Sequence, residues 1–202
     1  MIRILPVLLM LLCTACGLAE DERDEKNKYI YLTFYDKTFE TYCLGAFDVD
    51  SDGRISRYEA QRVLRMDCSG LGIASLSDLR EFTRLQRLDC SGNALTQLDV
   101  TMTRLERFDC SDNDLTSLDV NGLRSLTELN CSGNLLPRLD LQSNASLASL
   151  DCSDNALAGV LDLTPCASTL RADVRRNPAL ASVRCFASQG VSFDGQTELV
   201  RD

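Results

Sequence analysis

The phrase Leu-Asp-Cys-Ser returns along this chain at near-constant spacing, and that recurrence limits the possible folds more than any other feature. It reads Leu88-Asp89-Cys90-Ser91, Phe108-Asp109-Cys110-Ser111, Leu129-Asn130-Cys131-Ser132 and Leu150-Asp151-Cys152-Ser153. Met66-Asp67-Cys68-Ser69 precedes these copies, and the decayed Ala172-Asp173-Val174-Arg175 follows them. Steps of 22, 20, 21, 21 and 22 residues separate the third positions. A unit this short cannot enclose a core alone, so stability must come from burying each unit against the next. The chain is therefore expected to be an elongated stack with an extended surface, which suits recognition.

A period of 20–29 residues with this apolar pattern marks a leucine-rich repeat. The expected fold is an α/β solenoid, an arc of about six coils with a parallel β-sheet on its concave face. In the third coil Leu105, Phe108, Cys110, Leu115, Leu118 and Val120 read as inward-pointing. Arg107, Asp109 and Ser111 alternate with them and face the concave side. Across coils the outward positions form three columns. The first is Arg65, Arg87, Arg107, Glu128, Ser149, Arg171. The second is Asp67, Asp89, Asp109, Asn130, Asp151, Asp173. The third is Ser69, Ser91, Ser111, Ser132, Ser153, Arg175. Like charges facing each other on neighbouring strands repel. The Asp column must be relieved by the Arg column, backbone donors, a cation or a ligand, and Asn130 dilutes it at the middle. The candidate ligand-face residues are Arg87, Asp89, Arg107, Asp109, Glu128, Asn130, Asp151, Arg171 and Arg175.

Two internal ladders are also expected. Asn93, Asn113, Asn134, Asn155 and Asn177 can bond backbone groups freed where each strand turns. Cys68, Cys90, Cys110, Cys131 and Cys152 form an inward column. In-register side chains on parallel strands sit ~4.8 Å apart, beyond the ~3.8 Å Cβ separation that a disulfide requires. These cysteines therefore read as small apolar residues. Cys166 and Cys185 fall outside the column and are the candidates for a disulfide in an exported protein.

Residues 48–59 (Asp48-Val49-Asp50-Ser51-Asp52-Gly53-Arg54-Ile55-Ser56-Arg57-Tyr58-Glu59) match the twelve-residue EF-hand loop at every diagnostic position. Asp48, Asp50 and Asp52 offer carboxylates, Arg54 a backbone carbonyl, Ser56 a hydroxyl or bridging water, and Glu59 both oxygens. This all-oxygen set suits Ca²⁺. Phe39, Tyr42, Cys43, Ala46 and Phe47 pattern an entering helix, and Ala60, Val63 and Leu64 an exiting one that runs into Met66-Asp67-Cys68. The end coil of a solenoid needs a cap. The expectation is an EF-hand-like helix–loop–helix cap over residues 29–65, with Ca²⁺ as a structural clip.

Residues 1–15 read as an export signal, with Arg3 before an apolar run from Ile4 to Leu12. That run falls short of the ~20 residues of a bilayer-spanning helix. Cys13-Thr14-Ala15-Cys16-Gly17 resembles a bacterial lipoprotein box in which Cys16 is acylated, though Cys13 is an unusual occupant. A plain secretory signal cleaved near Ala15 or Ala19 is the other reading. Residues 16–28 are an acidic tether too polar to order themselves. Repeats occupy 66–183, and 184–202 are expected to cap the far end as a strand pair or lid.

The combination of lipoprotein signal, single EF-hand-like loop and Leu-x-x-Leu-Asp-Cys-Ser-x-Asn-x-Leu coils resembles leucine-rich repeat lipoproteins of gut-type Gram-negative bacteria. The coils themselves resemble the cysteine-bearing, internalin-J-like repeats of bacterial surface proteins. The resemblance spans about Tyr29 to Val183 and implies an outer-membrane lipoprotein, surface-exposed and binding protein or glycan. Related adhesins carry many more coils. With no His and a formal charge of −9, the chain lacks the usual general base and repels nucleic acid. Its strip of alternating carboxylates has no pocket to raise a carboxyl pKa, so an enzyme is not expected. The leading reading is a non-catalytic surface binding module touching the membrane through its lipid alone. The alternative is an accessory envelope lipoprotein that docks a larger complex.

Overall fold

Each repeat places its apolar triplet residue between two polar ones, and that alternation produces a three-residue strand. The computed structural model describes residues 26–202. Strands β1 (Arg65–Asp67), β2 (Arg87–Asp89), β3 (Arg107–Asp109), β4 (Glu128–Asn130), β5 (Ser149–Asp151) and β7 (Arg171–Asp173) stack in parallel. β9 (Gly190–Ser192) adds a seventh strand. The register matches the expected columns residue for residue: Arg65, Arg87, Arg107, Glu128, Ser149 and Arg171 align, as do Asp67, Asp89, Asp109, Asn130, Asp151 and Asp173. The middle residues Met66, Leu88, Phe108, Leu129, Leu150 and Ala172 are buried beneath the sheet.

The asparagine ladder holds the turns. Asn134 Nδ2 donates to the carbonyls of Cys110, Cys131 and Ser132 at 3.0, 3.2 and 3.2 Å, and its Oδ1 accepts from Leu115 N–H at 3.0 Å. Asn93, Asn113, Asn155 and Asn177 repeat the pattern. A buried backbone polar group without a partner is costly, so each rung supplies what the turning strand lacks. Directly before each of these asparagines the backbone is left-handed. Gly92 and Gly133 (both φ +63°) accept this freely, and Asp112, Asp154 and Arg176 (φ +52° to +56°) carry a Cβ there. At Gly133 a Cβ would fall 2.4 Å from Asp112 Oδ1.

The cysteine column is buried and every thiol in it is free. It also begins one step earlier than the repeats: Cys43, from the cap, is fully buried, and burial, with nearby Cys68 adding to it, raises the Cys43 thiol pKa. Val174 fills the same seat in the decayed coil. Cys166 and Cys185 are free thiols as well, contrary to the expected disulfide. They belong to different parts of the coil. Cys166 closes the turn after β6 (Ala158–Asp162), its N–H on Leu163 O, whereas Cys185 ends β8 (Ala179–Cys185) in register with Arg201.

The end of the chain departs from the expected strand pair or lid. β10 (Glu198–Arg201) joins β8 and β6 in a second parallel sheet, in the order β10-β8-β6. Residues 184–202 thus continue the solenoid. Gln189 makes this possible: its buried Nε2 donates to Leu163 O and Ala167 O of the coil beneath, and its Oε1 accepts from Phe186 N–H.

At the amino end α1 (Lys37–Phe47) is capped by Asp36, whose Oδ1 accepts from Thr38 and Phe39 N–H. The Asp36 Oδ2 accepts from Ala74 and Ser75 N–H of the first coil, so one carboxylate starts the helix and ties it to the stack. Phe34, Phe39, Tyr42, Phe47 and Phe82 form a chain of ring contacts 5.5–6.4 Å between centroids. The exiting helix α2 is one turn only, Arg57–Ala60. It does not extend to Leu64: Arg62 and Val63 N–H bond back three residues, to Glu59 O and Ala60 O, and β1 begins at Arg65. Among the described residues, no helix is long and apolar enough to cross a membrane. The expected signal, the acylated Cys16 and most of the tether lie outside the described residues.

Candidate functional site

The concave strip is a shallow groove of about 650 Å³ lined by Arg65, Asp67, Arg87, Asp89, Arg107, Asp109, Glu128, Asn130, Ser149 and Asp151 among others. Of the expected ligand-face residues, the sheet brings Arg87, Asp89, Arg107, Asp109, Glu128, Asn130 and Asp151 into this groove. Arg171 and Arg175 lie beyond it. The Arg171 side chain is laid against Gly190 of β9, where an added Cβ would meet its guanidinium at 2.7 Å. Arg175 is engaged by both oxygens of Asp173.

The Asp column is relieved locally, by backbone donors and serines. Asp89 Oδ1 accepts from Ser91 N–H at 3.0 Å and Ser91 Oγ–H at 2.6 Å, and Asp67, Asp109 and Asp151 do the same with Ser69, Ser111 and Ser153. Asn130 Nδ2 donates to Asp109 Oδ2 at 2.9 Å. The third column is consequently not a free outer row, and Ser111 and Ser153 are buried. In the Arg column, Arg107 pairs with Glu128 at 3.2 Å. Both partners are about half exposed, so the pair adds little stability. Among the described residues, Arg65 and Arg87 have no carboxylate within ion-pair distance. Tyr42 closes the head of the strip: its hydroxyl accepts Asp67 N–H at 3.2 Å. Burial pushes the Tyr42 phenol up to about 12.

In the acidic loop the carboxylates of Asp48, Asp50 and Asp52 converge, with an oxygen of each within 4.8 Å of the others. The loop is wound by its own N–H groups. Asp48 accepts from Asp52 and Gly53 N–H, and Asp52 from Arg54 N–H. Gly53 (φ +78°) and Ser51 (φ +58°) make the reversal. Ile55 is buried, as its inward position requires. Glu59 is buried but stands apart from the converging trio. Its Oε1 accepts Val49 N–H, and its Oε2 accepts Ser56 N–H and Oγ–H, forming a capping box for α2. Ser56 is likewise buried in that box, and the Arg54 side chain lies over Tyr31. The edge of the loop is closed by the preceding segment: Leu32 N–H donates to Ile55 O, and Arg57 N–H to Ile30 O. The donor set of oxygens and the tight reversal fit a hard divalent cation.

A second acidic column went unrecognised in the sequence. Asp99, Asp119, Asp140 and Asp162 stand on the opposite limb of successive coils, each accepting the N–H two residues on. The Leu-Asp-Val/Leu recurrence at Leu98, Leu118, Leu139 and Leu161 was the available signal.

No family model matches the chain, and no curated protein matches it. Among solved structures, the chain superposes on the functional domain of InlJ from Listeria monocytogenes, described as including a cysteine ladder. The TM-score is 0.66 at 27% identity, over 79% of this chain and 38% of that one. An internalin, InlF, from Listeria monocytogenes gives a TM-score of 0.58 at 16% identity, over 83% of this chain and 56% of that one. The second likeness speaks to fold alone. The chain thus spans little more than a third to a half of the lengths of these neighbours. What the geometry and these likenesses establish together is a parallel-sheet β-solenoid of internalin leucine-rich-repeat type, with a ladder of buried free cysteines.

Proposed function

We propose that this protein is a non-catalytic, surface-displayed module that binds a protein or glycan partner through its concave strip. The observation that carries this reading is the in-register groove from Arg65 to Asp151, in which two guanidinium groups, Arg65 and Arg87, have no carboxylate partner of their own. Neighbouring carboxylates are spent on serines, so the strip offers directed charge with little self-neutralisation. The likeness to internalin-type solenoids supports a protein as the partner. The lipid on Cys16 would hold the module at the outer membrane, with the acidic tether setting it away from the bilayer.

Ca²⁺ in this reading is a structural part of the cap. Asp48, Asp50 and Asp52 would hold it, with the Arg54 carbonyl, Ser56 and Glu59 completing the set once Glu59 turns from its capping bonds. The ion would neutralise three converging carboxylates beside the helix that seals the first coil. The chain's own residues then keep α1 seated through Asp36 and the Phe39–Phe82 contact.

The test is binding of the exported protein to arrayed glycans and to purified surface proteins, with Arg87→Ala and Arg107→Ala as variants. Loss of affinity by about tenfold or more for Arg87→Ala, from removal of an unpaired cation at a contact, is the expected outcome. Silence across both arrays would favour the accessory role in a larger envelope complex.

A further inference from the structure

Of the nine asparagines in the chain, Asn121 is the one followed by glycine. Five of the others are ladder rungs whose amides are tied to carbonyls of the interior. Asn121 stands instead at a corner of its coil, half-buried, with Gly122 exposed beside it. Its N–H donates to Asp119 Oδ1 at 2.9 Å, and its Nδ2 reaches Asp140 Oδ2 of the next coil at 3.4 Å. The Gly122 N–H has no acceptor among the described residues. That nitrogen carries no Cβ on its own residue to hinder it, and glycine lets the backbone swing.

The folded chain holds this corner shut. Leu123 N–H donates to Val120 O at 3.0 Å and Gly122 lies outside the left-handed region, so residues 120–123 form a type I turn. Asn121, its second residue, then takes a ψ of about −30°. Joining Gly122 N to Asn121 Cγ needs the nitrogen and Asn121 Cβ eclipsed about the Cα–C bond, which this ψ prevents. The same turn bond recurs at Thr103, Asn144 and Cys166. In that seat Asn144 is buried, and its Nδ2 donates across to Val120 O and Leu123 O of the preceding coil, at 3.0 Å each. One amide thus grips both ends of the turn that contains Asn121 and Gly122. Thr103 has no such reach, since its Oγ1 bonds Val100 O of its own coil.

We infer that Asn121 is a site of spontaneous deamidation and that the Asn144 clamp sets its rate in the folded protein. Gly122 N adds to Asn121 Cγ, its proton departs with Nδ2 as ammonia, and a five-membered imide closes. One water then opens the imide at either carbonyl, leaving aspartate or isoaspartate at position 121. The new carboxylate would face Asp140 Oδ2 in a groove that already holds Asp99 and Asp119. The donor lost there becomes a like charge, and the isoaspartate product adds a methylene to the backbone at the corner. This limb lies opposite the concave strip, so the inference stands whatever the strip binds.

The full chain is incubated in mildly alkaline buffer at physiological temperature, folded or in urea. Peptide mapping that separates asparagine, aspartate and isoaspartate reads the conversion at position 121. Folded wild type should convert about tenfold or more slowly than the same chain in urea, because the turn must open first. Asn144→Leu places in this seat the residue it holds one coil earlier. Val120 O keeps Leu123 N–H, Leu123 O keeps Leu126 N–H, and no donor is orphaned, because Asn144 Oδ1 accepts nothing among the described residues. This variant should keep its circular dichroism and convert about fivefold or more faster than wild type when folded, and equally fast in urea. Gly122→Ala adds a Cβ at an ordinary 3.9 Å from Thr101 O, so it should fold. In urea it should convert about tenfold more slowly. Equal folded rates for wild type and Asn144→Leu overturn the inference, as does no conversion at Asn121 in folded Asn144→Leu. A wild-type rate that folding leaves unchanged overturns it as well.

Discussion

The asparagine ladder makes a sharp energetic prediction, because its acceptors are shared between rungs. Replacing Asn134 by Ala removes three donations and one acceptance. The Cys110 carbonyl keeps a donor, since Asn113 Nδ2 also reaches it at 3.1 Å. Cys131 keeps Asn155 Nδ2 at 2.9 Å, and Ser132 O keeps Asp112 N–H. The one group fully orphaned is the buried Leu115 N–H. Such a donor costs about 1–3 kcal/mol. Lost packing of a buried side chain brings Asn134→Ala to about 3 kcal/mol, a large share of the usual 5–15. In the double variant Asn134→Ala/Asn155→Ala the Cys131 carbonyl loses both donors. The pair should therefore cost about 1–2 kcal/mol more than the sum of the singles. Asn113 and Asn155 share no acceptor, so that double variant should be additive to within about 0.5 kcal/mol. Urea unfolding followed by two independent probes measures the five variants against the wild-type protein. Additivity in both pairs, or a single-variant cost below about 1 kcal/mol, would refute the idea that the shared carbonyls bind the coils together.

Three further expectations concern the ion, the carboxylates and the thiols. Chelation should lower the melting temperature if Ca²⁺ clips the cap. Asp50→Asn should weaken ion binding in calorimetric titration while leaving the ion-free melt unchanged or higher, since one of three mutually repelling carboxylates is gone. Partial burial opposes ionisation of Asp36, but N–H donors from Phe39, Ala74, Ser75 and Thr38 outweigh it and hold its carboxyl below the ordinary 3.8. Asp154 and Asp173 are held low by Arg176 and Arg175. A depressed folded pKa contributes stability that is present above the unfolded value and lost as pH falls through the folded one. The melting temperature should therefore decline below about pH 4, and Asp36→Asn should flatten that decline. Burial pushes the Cys68 and Cys131 thiols up to about 12. A thiolate-selective reagent at neutral pH should thus leave the ladder unlabelled in the native protein and label it on unfolding; native labelling at these positions would contradict a dry column.

The repeat made the sheet legible before any coordinates. A period near 21 residues with an apolar residue between two polar ones leaves a parallel stack as the way to bury every coil, so strand positions, columns and both inner ladders could be read directly. The convergence of Asp48, Asp50 and Asp52 was legible for the same kind of reason, because their alternate spacing across a tight reversal is local. What the sequence could not settle were choices made by competition between distant groups. Glu59 is fixed by its bonds to Val49 and Ser56, and after Ala60 the chain tightens into three-residue turns before Leu64 O takes Gln86 and Arg87 N–H of the next coil. Ser111 and Ser153 turn inward to Asp109 and Asp151. Cys166 and Cys185 are free thiols, one in the turn after β6 and the other at the end of β8. The last nineteen residues continue the solenoid because Gln189, far from the repeat consensus, finds two carbonyls to bond in the coil beneath. Periodicity records which side chains face in, and three-dimensional contact decides which polar atom wins each of them.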